Sequence, residues 1–511
     1  MVLFLAPITF AKAQELPVKY TLGNDYDDRY KYSTVLSING DDSDHTVIVR
    51  TYYGGYPLRP KGHFIEMYDA DLTLMEEYNN KYAGQYMVDG FIKNGQLYLL
   101  ELRYNEPRQT YEYVIHHSPL GDFDFNERNL LSIPSKEVIN PLAVNKYNRS
   151  FGNGFSTAVH FNQEKSAFAI TVQHRDGKEE KYSMFVYGTD LKKHLEYDFT
   201  AQTKEKNYAF ENIAVSNDFK TVYFMGKAFF KKRRFSAKER RFQYELIRVT
   251  NQGHQTQEFA DAGRFPESLK PVLIDDELVV VGFYADRKDN RYNGLVHFKL
   301  DPSALTIQSK KYNPFSTQFM EDKFGREVDA EVKNLIFKDI HITPSKELVF
   351  SAEEYFVSQG EAFDGNSSRK VDRYHYNDIV CAKLDPLGNM VWARNINKAE
   401  VTQGDEAYAS YSAYGNGDTM YFFINSGEQP KTISKNRILF KQGYTRNPDM
   451  FVIQLNEKGE MSYEKLVDDK AVRLPIMVSK PLINGDKDQI LFYAKRGRKK
   501  QLVKVSVDQS K

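Results

Sequence analysis

The chain has 511 residues, and its 70 basic and 69 acidic side chains leave a formal net charge of +1. That balance argues against nucleic acid as a partner, and the single cysteine, Cys381, excludes an internal disulfide and the cysteine-rich metal patterns. Thirty-five Tyr and 35 Phe against one Trp favour strands, because these rings suit pleated, half-buried surfaces.

The apolar run 2–10 followed by Ala11-Lys12-Ala13 has the length and the small-x-small ending of a signal peptide, so residues 1–13 are read as an export signal and 14–511 as one domain. No later stretch is long and apolar enough to span a bilayer as a helix. Export without disulfides fits the periplasm or cell surface of a bacterium.

From residue 18 onward one pattern returns: a strand, a turn rich in Asn, Asp or Gly, a strongly apolar strand, a long polar connection, a third strand and a fourth. The second and third strands of successive units are predicted at 46–52 and 63–68, 96–102 and 111–115, 166–172 and 182–187, 221–226 and 244–249, and 277–282 and 295–300. Phe319, Met320, Phe324, Val328 and Val332 then share a helical spacing, which predicts a short helix over 317–332. Two further units follow, and a last one at 489–493 and 501–506 stops a strand short. The orphan strand 18–22 supplies the missing one, which would close a ring and leave no open sheet edge. The count is eight four-stranded units, with seven as the runner-up.

The best preserved copy is Lys383-Leu384-Asp385-Pro386-Leu387-Gly388-Asn389-Met390-Val391-Trp392, echoed with Gly459 in the place of Gly388. This stretch resembles the repeat of exported bacterial β-propellers, in which a strand ends in an Asp-x-x-Gly-Asn turn and re-enters with an apolar residue and Trp. The resemblance implies an all-β propeller of four-stranded blades and implies no reaction.

Motifs of catalysis are missing. No His-Glu-x-x-His, Gly-x-Ser-x-Gly or phosphate-binding Gly-x-x-x-x-Gly-Lys loop occurs, and nothing in the chain calls for a cofactor or metal. The acids Asp25, Asp27 and Asp28, and Asp41, Asp42 and Asp44, lack the spacing of a calcium loop and are read as solvated turns. His116 and His117 point to opposite faces of a strand and are read as a surface pair.

The functional signal lies in the connections between second and third strands. The fourth runs Phe229, Phe230, Lys231, Lys232, Arg233 and Arg234 and, further on, Arg240 and Arg241. The fifth brings Arg291 and Tyr292, the sixth Arg373, Tyr374 and Tyr376, the seventh Arg446, and the last, the terminal basic run Lys495-Arg496-Gly497-Arg498-Lys499-Lys500, Arg496 and Arg498. In a propeller these connections share one face, so bases interleaved with aromatics gather there and suit an anionic or amphipathic ligand. The chain is therefore expected to be a non-enzymatic binding or scaffolding module for an envelope protein or anionic glycan. The alternative is a carbohydrate-active enzyme or lectin that works through the central funnel.

Overall fold

The computed structural model describes residues 16–41, 43–56, 58–81, 86–138, 157–162, 166–177, 179–200, 206–231, 240–261, 263–286, 291–328, 330–363, 368–403, 406–443 and 447–508. The predicted signal peptide lies outside them. The chain is all-β, and its described strands form eight sheets of four or more strands together with one two-stranded ribbon.

The first five sheets are antiparallel meanders taken in chain order. They occupy Ser33–Gly40 to Leu74–Asn80, Tyr86–Lys93 to Asn126–Pro134, Thr157–Phe161 to Lys193–Thr200, Lys206–Val215 to Gly253–Phe259, and Phe265–Ile274 to Ile307–Pro314. The sixth begins at Leu335–Ile342. Its next two strands, Leu348–Phe363 and Ser368–Leu384, are 16 and 17 residues long. Its fourth strand, Met390–Thr402, pairs in parallel with Arg437–Lys441, so a hairpin from the seventh unit widens the sixth sheet. The seventh runs from Ser412–Asn416 to Met461–Val467.

In the eighth sheet the order is Leu482–Asn484, Gln489–Arg496, Lys499–Val507 and then Val18–Leu22. The N-terminal strand pairs antiparallel with the last strand, Val18 facing Val507 and Leu22 facing Val503. Each sheet shares an apolar cluster with the next. Val49 and Ile65 meet Met87 and Leu99 between the first and second, and Leu246 meets Val280 between the fourth and fifth. Met450 meets Phe492 between the seventh and eighth, and Tyr493 and Leu502 of the eighth meet Ile48 and Tyr68 of the first. Alternation along each strand therefore feeds two seams, one per face, and both faces of a sheet are buried.

The stretch from Lys383 to Trp392 serves packing. Gly388 and Gly459 take φ of 81° and 76°, the left-handed turn that glycine enters without strain. Trp392 closes over Gly459 and donates from Nε1 to the Glu457 carbonyl at 2.9 Å, while Cys381 is fully buried. Helix is present at Thr317–Phe324, capped by Ser316 and stopped at Gly325, shorter than the 317–332 predicted from spacing; Val332 belongs instead to a short strand paired with Tyr292.

Two expectations fail at the junction of the first and eighth sheets. Asp28 is not a solvated turn residue but 2% exposed, and Lys495 and Lys500 of the terminal basic run are 4% and 1% exposed. They form one buried cluster with Arg50 and Glu66. Arg50 pairs with both carboxylates, Lys495 with Asp28, and Lys500 with Glu66 at 2.6 Å. Burial alone raises the Asp28 carboxyl, but the charges of Arg50 and Lys495 outweigh it and hold the group below its ordinary value.

A carboxylate depressed in this way contributes stability that is present above its unfolded value and lost as pH falls through the folded one. Asp28→Asn is expected to lower the unfolding free energy at pH 7 by about 3 kcal/mol, with the gap to wild type narrowing below about pH 4. Denaturant titrations across that pH range check this, and a constant gap would remove Asp28 from the clasp.

Candidate functional site at the seam of the fourth and fifth sheets

Where second strands turn into third strands, the apolar core gives way to a level of buried charge. Arg50 and Glu66 occupy it in the first sheet, Glu101 and His116 in the second, Glu245 in the fourth, Glu267 in the fifth and Glu353 in the sixth. His116, expected on the surface, is 3% exposed with Nε2 at 2.5 Å from Glu101. Charges so placed persist only if paired, because desolvation of either partner alone costs several kcal/mol.

The seam between the fourth and fifth sheets adds access to solvent. Two bulges shape it. The first strand of the fourth sheet shifts register between Phe210 and Ile213, and that of the fifth between Glu267 and Lys270. A bulge bends its strand and re-aims the extra side chain, here Glu211 and Ser268. Ser268 takes a φ of 50°, and Gly282 opposite leaves room for the bulge: a Cβ there would stand 2.7 Å from the Glu267 carbonyl oxygen.

Tyr244 is the hub. Its hydroxyl lies 3.2 Å from Glu211 Oε2 and 3.1 Å from Glu267 Oε2, and accepts a hydrogen bond from the Ser268 N–H at 3.1 Å. Glu267 is 2% exposed and pairs with Arg240, whose Nη1 also donates to the Pro266 carbonyl at 2.9 Å. Lys227 stands 3.7 Å from Glu267 and 4.0 Å from Glu211, its ammonium 4.1 Å from the centre of the Phe242 ring. Arg240 covers the same ring at 4.4 Å. Phe229, 39% exposed, packs beside Phe242 at 5.5 Å. Glu211 keeps a third of its side chain exposed, and burial raises its carboxyl above the ordinary value, against the pull of Lys227 and of the Tyr244 hydrogen bond and with a smaller push from the Glu267 charge.

Of the residues predicted from sequence, this seam brings together Phe229, Arg240 and Tyr292. Tyr292 is buried, pushed up to about 12 chiefly by burial, and it senses Glu267, Arg240 and Glu211. Others are placed elsewhere. Phe230 lies 5.8 Å from the Lys206 ammonium, and Lys231 and Arg241 are exposed. Arg291 pairs with Glu331 at 3.3 Å. Tyr376 is buried and donates to Glu406 at 2.9 Å, while Tyr374 faces Val357 and Thr402 in neighbouring strands. Arg373 is exposed and lies against Gly360. Arg496 donates to Asn447 at 2.6 Å, and exposed Arg498 contributes its carbonyl to the Asp28 N–H. Lys232, Arg233, Arg234 and Arg446 lie outside the described residues. Glu211, Lys227, Tyr244 and Glu267 carry no motif. Strand alternation places Tyr244 on a core face, but nothing in 206–215 or 265–274 announces a bulge.

No protein-family model and no curated protein matches this chain. Solved structures similar to it include the β-propeller domain of the Trilobed protease from Pyrococcus furiosus, at 9% identity over 86% of this chain and 97% of that one, with a TM-score of 0.36. An acylaminoacyl peptidase is similar at 9% identity and a TM-score of 0.37 over 92% of this chain, which spans 59% of the peptidase. Polysaccharide lyase Uly1 is similar at 10% identity and a TM-score of 0.33, covering 95% of this chain and 100% of that one. Likeness at this level carries no activity over to the chain.

Tyr244→Phe is expected to leave the Ser268 N–H, Glu211 and Glu267 each short of a partner and to cost about 1–3 kcal/mol. Chemical denaturation reads the loss, and amide exchange should speed up at Ser268 while the seventh and eighth sheets keep their protection. Unchanged exchange at Ser268 would deny Tyr244 its role as hub.

Proposed function

We propose that the chain is an exported eight-bladed β-propeller, closed by its N-terminal strand, that acts as a binding module for an anionic glycan or an envelope protein of a bacterium. Support for the ring comes from the succession of apolar clusters, in which every sheet meets the next and the eighth meets the first. Among the described residues no helix is long and apolar enough to cross a membrane.

The observation that carries binding is the seam at Phe229, where an exposed ring, a cationic pair and an accessible carboxyl converge on the end of the sheet that bears Lys231 and Arg241. Rings beside cations offer stacking area and charge to one ligand. The basic face is narrower than composition suggests. Arg240, Lys495, Lys500 and Arg291 already serve internal carboxylates, and the reading rests on the exposed Arg241, Lys370 and Arg373.

A second reading, a carbohydrate-active enzyme, rests on the two carboxyl groups that meet at the Tyr244 hydroxyl, at 3.2 and 3.1 Å from it, since glycoside hydrolysis uses a pair of carboxyls. Glu267 is enclosed and paired, so it lacks the approach to substrate that a base or nucleophile needs.

The test is retention of the full chain on arrayed acidic and neutral glycans and in envelope extracts, over a salt series. Neutralising Arg241, Lys370 and Arg373 together should weaken retention at least tenfold at low salt and flatten the salt dependence. Retention that ignores both would discard the basic face. Release of reducing ends that disappears with Glu211→Gln would establish the enzymatic reading in its place.

A further inference from the structure

The hydroxyl of Tyr244 carries one proton but stands within hydrogen-bond distance of two carboxyl groups, Glu211 at 3.2 Å and Glu267 at 3.1 Å. Its oxygen already accepts from the Ser268 N–H. If both carboxyls were ionised, one of them would face the tyrosine's lone pairs with nothing to share. A proton on one of the two gives each contact its own hydrogen. Arg240 pairs directly with Glu267, whereas the cation nearest Glu211 among the described residues is Lys227 at 4.0 Å. The proton belongs on Glu211. Its raised carboxyl agrees.

We propose that Glu211 is a neutral carboxylic acid heading a proton-sharing chain through Tyr244 to Glu267, and that the seam receives a single sugar carboxylate of the uronic-acid kind. The charge count supports the ligand. Lys227 and Arg240 against Glu267 leave one positive charge when Glu211 is neutral, and Tyr244 and Tyr292, the other titratable groups facing it, are uncharged. Lys227 is ion-paired at 3.7 Å with Glu267 and 4.0 Å with Glu211, both longer than a hydrogen bond, so it can turn a donor to a ligand. Phe229, exposed beside Phe242, offers the apolar face on which a sugar ring lies. As pH rises and Glu211 ionises, the seam loses its net charge and a donor, and affinity falls.

The inference rests on the reading of the chain as a glycan-binding module, and the test separates the two. Calorimetry of the full chain with tetragalacturonate should give binding at least tenfold tighter at pH 5 than at pH 8, and at least tenfold tighter than its methyl ester, with the pH dependence abolished in Glu211→Gln. A pH-independent wild type, a variant that keeps the pH dependence, or equal binding of the ester would overturn the proposal. Retention on other glycans without tetragalacturonate binding would overturn it and leave the binding module standing; no retention on any glycan would remove both. A carbon-13 titration of the Glu211 carboxyl, assigned by difference with Glu211→Gln, reads the acid directly. A midpoint at or below the ordinary value of about 4.3 denies the neutral acid.

Discussion

Everything in this molecule depends on how charge is kept below the surface at one end of its sheets. An apolar seam needs only complementary volume, but a carboxylate 0–3% exposed needs a cation in contact, and that cation must come from a fixed place on another strand. Glu66 takes Arg50 from the neighbouring strand and Lys500 from the far end of the chain; Glu267 takes Arg240 from across a seam. Pairing of this kind is specific where hydrophobic contact is tolerant. It joins sheet to sheet in a way that sliding by one residue would destroy, since a one-residue slip turns every paired group to the opposite face.

The junction of first and eighth sheets illustrates the consequence. Backbone pairing of Val18–Leu22 with Lys499–Val507 supplies hydrogen bonds, but a five-residue strand alone is a weak fastening. Asp28, a few residues on, adds the contact with Arg50 and Lys495, and Tyr26 and Asp27 pair with Lys500 and Lys499 in the same sheet. Two ends more than 460 residues apart are thus tied by a strand and an ion cluster in series.

The alternation of apolar strands and turns was legible throughout, because burial on two faces forces it. Strands at Thr46–Gly54, Val222–Phe230 and Glu277–Ala285 overlie the predicted 46–52, 221–226 and 277–282. Gly388, Cys381 and Trp392 were legible as turn and packing residues for the same reason. Charge was not. Lys495 and Lys500 stand among Arg496, Arg498 and Lys499 and look like one solvated run, yet strand alternation sends these two inward and leaves the three between them exposed. Asp28 looks like Asp25 and Asp27 until Arg50 is brought beside it from another strand. A charge's partner is a fact of tertiary structure, and no local pattern encodes it.

The site follows the same logic with one difference. Glu211 belongs to the buried polar level by position, but the bulge between Phe210 and Ile213 turns it so that a third of its side chain meets solvent. Its neighbour in charge, Glu267, is enclosed and fully paired, so the two carboxyls sit in unequal surroundings though they share Tyr244. Unequal surroundings separate the proton affinities of coupled acids, and the more weakly compensated one keeps the proton. A structural belt thereby acquires a chemically distinct member beside the exposed Phe229. Bulges also interrupt the first strands of the first, second and sixth sheets, so what distinguishes this seam is the contact of Glu211 with Tyr244 beside the exposed ring of Phe229.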